Sequence, residues 1–106
     1  MKVAYNKCYG GFSLSDKAVS MLNEMNGLEG EDKLEPHSYG YPHNSKGHYR
    51  HDPDLIRVIE QLGEQANGRC AKLVITEIDG VRYIVKEYDG METVLEPKDI
   101  PWITAL

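Results

Sequence analysis

The chain has 106 residues, of which 41% are hydrophobic, 27% charged and 8% aromatic. This balance is typical of a globular domain and excludes wholesale disorder, collagen-like repetition and a membrane protein. Seventeen acids against twelve Lys and Arg give a net charge of −5, the wrong sign for direct nucleic-acid binding. Residues 75–106 hold most of the excess, with seven acids and three bases. That segment favours a partner protein with a basic surface or, as the alternative, a solvated face that keeps the domain soluble.

Cysteine usage and the N-terminus bear on the cellular compartment. Cys8 and Cys70 do not form a Cys-x-x-Cys spacing, so neither a disulfide framework nor a cysteine zinc site is predicted. The N-terminal residues lack the apolar stretch of a signal peptide, and no apolar run approaches the length of a membrane span. We therefore expect a cytoplasmic protein with no membrane segment.

The first half of the chain predicts a strand, a helix and a long loop. Residues 2–8 alternate in polarity and end at a Gly-Gly turn, which indicates a strand. Ser15 is a predicted helix N-cap, and Asn26-Gly27 predicts the stop of a helix over residues 15–26. Between residues 28 and 50 the periodicity disappears and Gly, Pro, Tyr and His dominate, which predicts a long loop.

The second half predicts a helix followed by strands. Asp52-Pro53 is a strong helix start, and apolar residues at helical spacing predict a helix over residues 53–66. The hydrophobic pattern then changes to a period of two residues, which is typical of strands. Residues 71–78 and 81–88 are predicted to form a hairpin around Asp79-Gly80, and a second Asp-Gly pair precedes a third strand at residues 91–95.

These elements predict one α+β domain over residues 1–106, with a C-terminal tail over residues 97–106. Its N-terminal strand and two helices would pack on one face of a C-terminal antiparallel β-meander, because this arrangement buries both apolar helix stripes.

A glycine pair just before the first predicted helix is a candidate anion site. Backbone N–H groups at a helix N-terminus can receive a phosphate, and an arginine can bind it bidentately. The sequence lacks the P-loop pattern and Gly-x-Gly-x-x-Gly, so a purely structural strand-to-helix turn stays the alternative. The residues of this ligand-binding hypothesis are Gly10, Gly11, Ser13, Arg50 and His51.

No catalytic or metal motif is specific. His48 and His51 supply two ligands at a suitable spacing, but a metal site needs three or four, so no metal and no cofactor are predicted. Cys8 is the one nucleophile of interest, and burial in packing is the better explanation of this lone cysteine. We therefore predict no enzyme. Loop Tyr and His residues and exposed acids are instead good contact residues. The predicted partner-binding residues are Tyr39, Tyr41, His43, His48, Tyr49, Glu87, Asp89 and Glu92.

Several segments resemble a group of small phage and prophage proteins. They are CYGGFSLS at residues 8–15, RHDPDL at 50–55, EQLGEQANG at 60–68, AKL at 71–73 and YDGME at 88–92. The resemblance carries no catalytic residues and implies a phage accessory protein acting in the cytoplasm of a bacterial host.

Small acidic phage proteins often inhibit host machinery, and anti-CRISPR proteins do so by occupying a basic surface of a nuclease complex. The resemblance therefore implies a non-catalytic inhibitor of a host defence protein. The alternative is a protein that binds or sequesters a nucleotide signal at the candidate anion site. A homodimer that pairs through the strand edge at residues 91–95 also stays open.

Overall fold

The structure, a computed structural model, describes residues 1–26 and 49–105. The predicted α+β class is confirmed. None of the helices in these two ranges is both long and apolar enough to cross a bilayer. In chain order the elements are β1 (Lys2–Asn6), α1 (Asp16–Asn26), α2 (Pro53–Leu62), β2 (Leu73–Glu77), β3 (Ile84–Tyr88) and β4 (Met91–Leu95), with 3₁₀ turns at Gly63–Ala66 and Pro97–Asp99.

Both predicted helix caps are confirmed. The backbone N–H of Ala18 donates to Ser15 Oγ at 3.1 Å, and that of Asp54 donates to Asp52 Oδ1 at 2.9 Å. Each bond satisfies an N–H group that the first helical turn leaves without an intrahelical partner. Helix α2 is shorter than predicted because Gly63 adopts a φ of +58°, which turns the chain out of the α-helix into a 3₁₀ turn.

The strands form two separate antiparallel pairs instead of one continuous meander. β1 pairs with β2 from Lys2↔Glu77 to Asn6↔Leu73, and β3 pairs with β4. The hairpin predicted around Asp79-Gly80 is therefore wrong. The N–H of Ile78 donates to the carbonyl of Met1 at 2.8 Å, so the segment after β2 continues along the N-terminal strand.

The Asp-Gly pair that closes a hairpin is Asp89-Gly90. These residues have φ values of +50° and +91°, the two positive angles that a type I′ turn requires. Asp79 and Gly80 do not adopt positive φ values, and so they do not form this turn. We refer to β3, Asp89-Gly90 and β4 together as the hairpin.

The apolar core lies between the two helices and the β1–β2 pair. Of the described residues, those of the hairpin contribute no side chain to this buried cluster. The hairpin is therefore held to the rest of the molecule by other means. The buried cluster consists of Ala4, Phe12, Leu14, Ala18, Val19, Leu22, Leu55, Ile56, Val58, Ile59, Ala66 and Leu73.

Candidate functional site

A buried ion pair joins the hairpin to the core. Arg50, just before α2, is fully buried, and the side chain of Glu92 on β4 is 6% exposed. Arg50 Nη1 donates to Glu92 Oε1 at 2.6 Å, and Arg50 Nη2 donates to Glu92 Oε2 at 2.9 Å. Such a bidentate pair fixes both the distance and the orientation of the two groups. The geometry therefore sets the position of the hairpin.

The surroundings of the ion pair are built by β1 and the segment after it. The N–H of Ala4 donates to the carbonyl of Arg50 at 2.9 Å, and the Arg50 guanidinium carbon lies 3.7 Å from the centre of the Phe12 ring. The aromatic face favours the cation beside it. Arg50 is thus held through its backbone, its charge and the flat surface of its guanidinium.

Asn6 is a second connection between the hairpin and the body of the domain. Its backbone N–H donates to Glu92 Oε1 at 2.9 Å, and its Nδ2 donates to the carbonyl of Gly90 at 2.8 Å. Its Oδ1 accepts from the N–H of Lys72 at 2.8 Å. The side-chain amide of this one buried residue therefore contacts the hairpin turn and the chain leading into β2, and its backbone N–H contacts β4.

The glycine pair of the predicted anion site lies where other turns pack closely. A Cβ on Gly90 would lie 2.3 Å from the carbonyl oxygen of Tyr9 and 2.6 Å from the nitrogen of Gly11, and one on Gly10 would overlap the backbone of Cys70. The glycines therefore allow three turns to approach one another. This finding favours the structural explanation of the glycine pair.

Ser13 and Arg50 are also buried, and both make contacts within the domain. Ser13 is 5% exposed, and its carbonyl accepts from the N–H of Gly68 at 2.9 Å. The anion that Arg50 binds is the carboxylate of Glu92, so the prediction that Arg50 receives an external anion does not agree with the structure. The same pair corrects the prediction for Glu92, whose carboxylate lies inside the molecule instead of on an exposed acidic surface.

His51 belongs to an aromatic group at the side of the hairpin. Its Nδ1 lies 2.7 Å from the hydroxyl of Tyr83, and its ring stacks on Tyr49 with the ring centres 5.4 Å apart. Burial raises the pKa of Tyr83, and this effect exceeds the lowering by the Arg50 charge and by a hydrogen bond with the His51 backbone. An open groove of about 410 Å³ is lined by Tyr49, His51 and residues 81–85.

The remaining predicted acids lie at the hairpin tip. Glu87 and Asp89 are both exposed, and Glu87 Oε1 accepts from the N–H of Gly90 at 2.6 Å. Between them, Tyr88 is 77% exposed. Two of the three predicted hairpin acids are therefore exposed at the tip.

Four of the predicted contact residues belong to the long loop predicted between residues 28 and 50. Tyr39, Tyr41, His43 and His48 lie outside the described residues. Within residues 1–26 and 49–105, no three His, Cys, Asp or Glu side chains lie close enough together to hold a metal ion.

The sequence reasoning missed the link between Arg50 and Glu92. Both residues were candidates, but for separate sites, and they are 42 positions apart in the chain. No local pattern connects two residues at that separation. A weak signal was the acid at an inward position of an otherwise alternating strand, because such a charge needs a partner.

Comparison with known proteins gives no relative from which a role can be transferred. No protein-family model matches the chain, and neither a curated protein nor a solved structure is significantly similar to it.

Proposed function

We propose that this chain is a non-catalytic binding protein that presents its hairpin to a partner protein with a basic surface. The observation that carries the proposal is the way in which the hairpin is attached. It adds nothing to the apolar cluster of the described residues, yet the buried Arg50–Glu92 pair fixes its orientation. A fixed element outside the core loses little conformational freedom on binding.

The charge of the hairpin tip supports a basic partner. Glu87 and Asp89 are both exposed at the tip. Exposed acids speed the encounter with a basic surface. We further propose, on the resemblance to phage proteins, that the partner is a bacterial defence component which the chain inhibits, such as a CRISPR nuclease complex.

Affinity capture from a bacterial lysate with a matched pair of variants tests the proposal. The test variant is Glu87→Gln with Asp89→Asn, which removes two charges, keeps an oxygen acceptor for the Gly90 N–H and leaves an Asn-Gly pair suited to the turn. The control is Glu24→Gln with Glu64→Gln, which removes the same charge from exposed helical positions. Co-eluting proteins are identified by mass spectrometry, and the heat-released fraction is analysed for nucleotides.

We expect a stoichiometric protein with the wild type and the control, and its loss with the hairpin-tip variant. Equal capture by all three proteins would place binding elsewhere and contradict the proposal. A released nucleotide without any protein partner would also contradict it and favour the nucleotide-binding alternative.

A further inference from the structure

One face of the hairpin is apolar and exposed. The strand register Ile84↔Leu95, Lys86↔Thr93 and Tyr88↔Met91 places these six residues on the same side of the hairpin, and we call this side the outer face. Ile84 is 50% exposed and Tyr88 is 77% exposed. The opposite side carries Glu92, which is buried against the core. The outer face therefore lies on the side of the hairpin opposite Glu92, where Met91 and Thr93 also border an open cavity with Tyr5, Lys7 and Thr76.

The C-terminal segment extends the outer face. Asp99 and Pro101 line an open groove of about 360 Å³ together with residues of the outer face. The Trp102 side chain is 74% exposed, and its Nε1 donates to the carbonyl of Pro97 at 3.2 Å. Because the one polar atom of the indole is satisfied within the chain, its ring can be buried by a partner without losing a hydrogen bond. Ile103 beside it is 95% exposed.

The distribution of charge indicates what covers this surface. A chain with a net charge of −5 repels its own copies, but the outer face carries no acid, since Glu87 and Glu92 alternate to the other side. Its one charged residue is Lys86, and Asp99 lines the same groove. In a two-fold arrangement each Lys86 can face the Asp99 of the other copy, so the surface is complementary to itself.

We propose that two copies of this chain associate through their outer faces, with Trp102 of each copy covering part of the same interface. The contact is isologous and closes at a dimer, because each copy offers the same surface. Tyr88 and Met91 supply its apolar centre, and Trp102 follows Pro101 of the same groove in the chain, consistent with the enrichment of these residue types in interfaces. The inference goes beyond the proposed function, since Glu87 and Asp89 stay outside the interface.

Sedimentation equilibrium of the full chain tests the dimer, in a concentration series that reaches about 1 mM so that weak association is populated. We expect the wild type to sediment at twice the monomer mass of 12.0 kDa. Lys86→Glu places an acid on the outer face and Trp102→Ala removes the exposed ring, and both variants are expected to sediment as monomers at the same concentrations.

The matched control is Lys72→Glu, which makes the same charge change at an exposed position outside the hairpin and is expected to stay dimeric. Circular dichroism melting checks that all variants are folded, as expected for exposed positions. A monomeric wild type would overturn the proposal. A dimer that either outer-face variant leaves intact would also overturn it, because the interface would then lie elsewhere.

Discussion

The side chains of Arg50 and Glu92 are charged and buried, and each is the counter-ion of the other. The guanidinium is fully buried and the carboxylate nearly so, at 0% and 6% exposure. A buried pair of this kind adds little net stability over an apolar pair of the same shape, but loss of one partner leaves an uncompensated charge in the interior. Its specific contribution here is geometric, since it determines where the hairpin lies.

Glu92→Gln therefore is expected to lower the free energy of unfolding by about 3–5 kcal/mol, because it leaves the Arg50 charge buried without a counter-ion. Urea denaturation measures the change. Glu87→Gln, on the strand paired with β4, is the control, and its exposed carboxylate is expected to contribute less than about 1 kcal/mol. Equal small effects of both substitutions would contradict the buried pair.

The raised pKa of Tyr83 predicts that the folded protein loses stability at alkaline pH. Burial raises its pKa in the folded protein, so its neutral form is favoured by folding. The resulting stability is fully present below the unfolded pKa of about 10 and is lost as pH rises towards the folded value. Tyr83→Phe is expected to reduce the loss of stability above about pH 10, as measured by urea denaturation at several pH values. An unchanged pH profile would argue against the raised pKa.

At the scale of elements, the sequence predicted each helix and strand but not how the strands pair. The helix caps at Ser15 and Asp52 depend on local bonds, and both were predicted. The two Asp-Gly pairs are identical in sequence, yet only Asp89-Gly90 forms the hairpin turn. The difference lies in the position of β1, which pairs with β2 from the other end of the chain. Local turn propensity therefore does not show which of the two Asp-Gly pairs forms the hairpin turn.

The hairpin turn also depends on close packing at Gly90. Gly90→Ala is expected to destabilise the fold strongly, since its Cβ would lie 2.3 Å from the Tyr9 carbonyl oxygen and the residue has a φ of +91°. Gly63→Ala is the control: its φ is +58°, but nothing lies within 4 Å of the added Cβ. The control is expected to lose about 1–3 kcal/mol from backbone strain alone, because its ψ of −130° lies outside the left-handed helical region.

Thermal melting monitored by circular dichroism compares the two glycine variants. A lower melting temperature for Gly90→Ala than for Gly63→Ala would agree with the close contact between the turns. Equal melting temperatures would mean that backbone strain alone determines both costs.

At the scale of the whole molecule, the polar contacts of Arg50, Glu92 and Asn6 connect the hairpin to the body of the domain. The sequence allowed the core to be predicted, because its apolar residues recur at helical spacing and cannot face water. It did not show that β3 and β4 lie outside this core, because their alternation also suits a strand pair packed against helices. The separation follows from the burial of Glu92 and from the exposed side chains of the outer face.

Amide hydrogen exchange of the wild type and Glu92→Gln tests this attachment most directly. Because the hairpin lies outside the apolar cluster, its amides are expected to exchange faster than those of α2, through local opening. In Glu92→Gln the hairpin amides are expected to lose more protection than the α2 amides. Equal protection of the hairpin and α2 in the wild type, with equal losses in the variant, would show that the hairpin unfolds only with the core and would contradict this account.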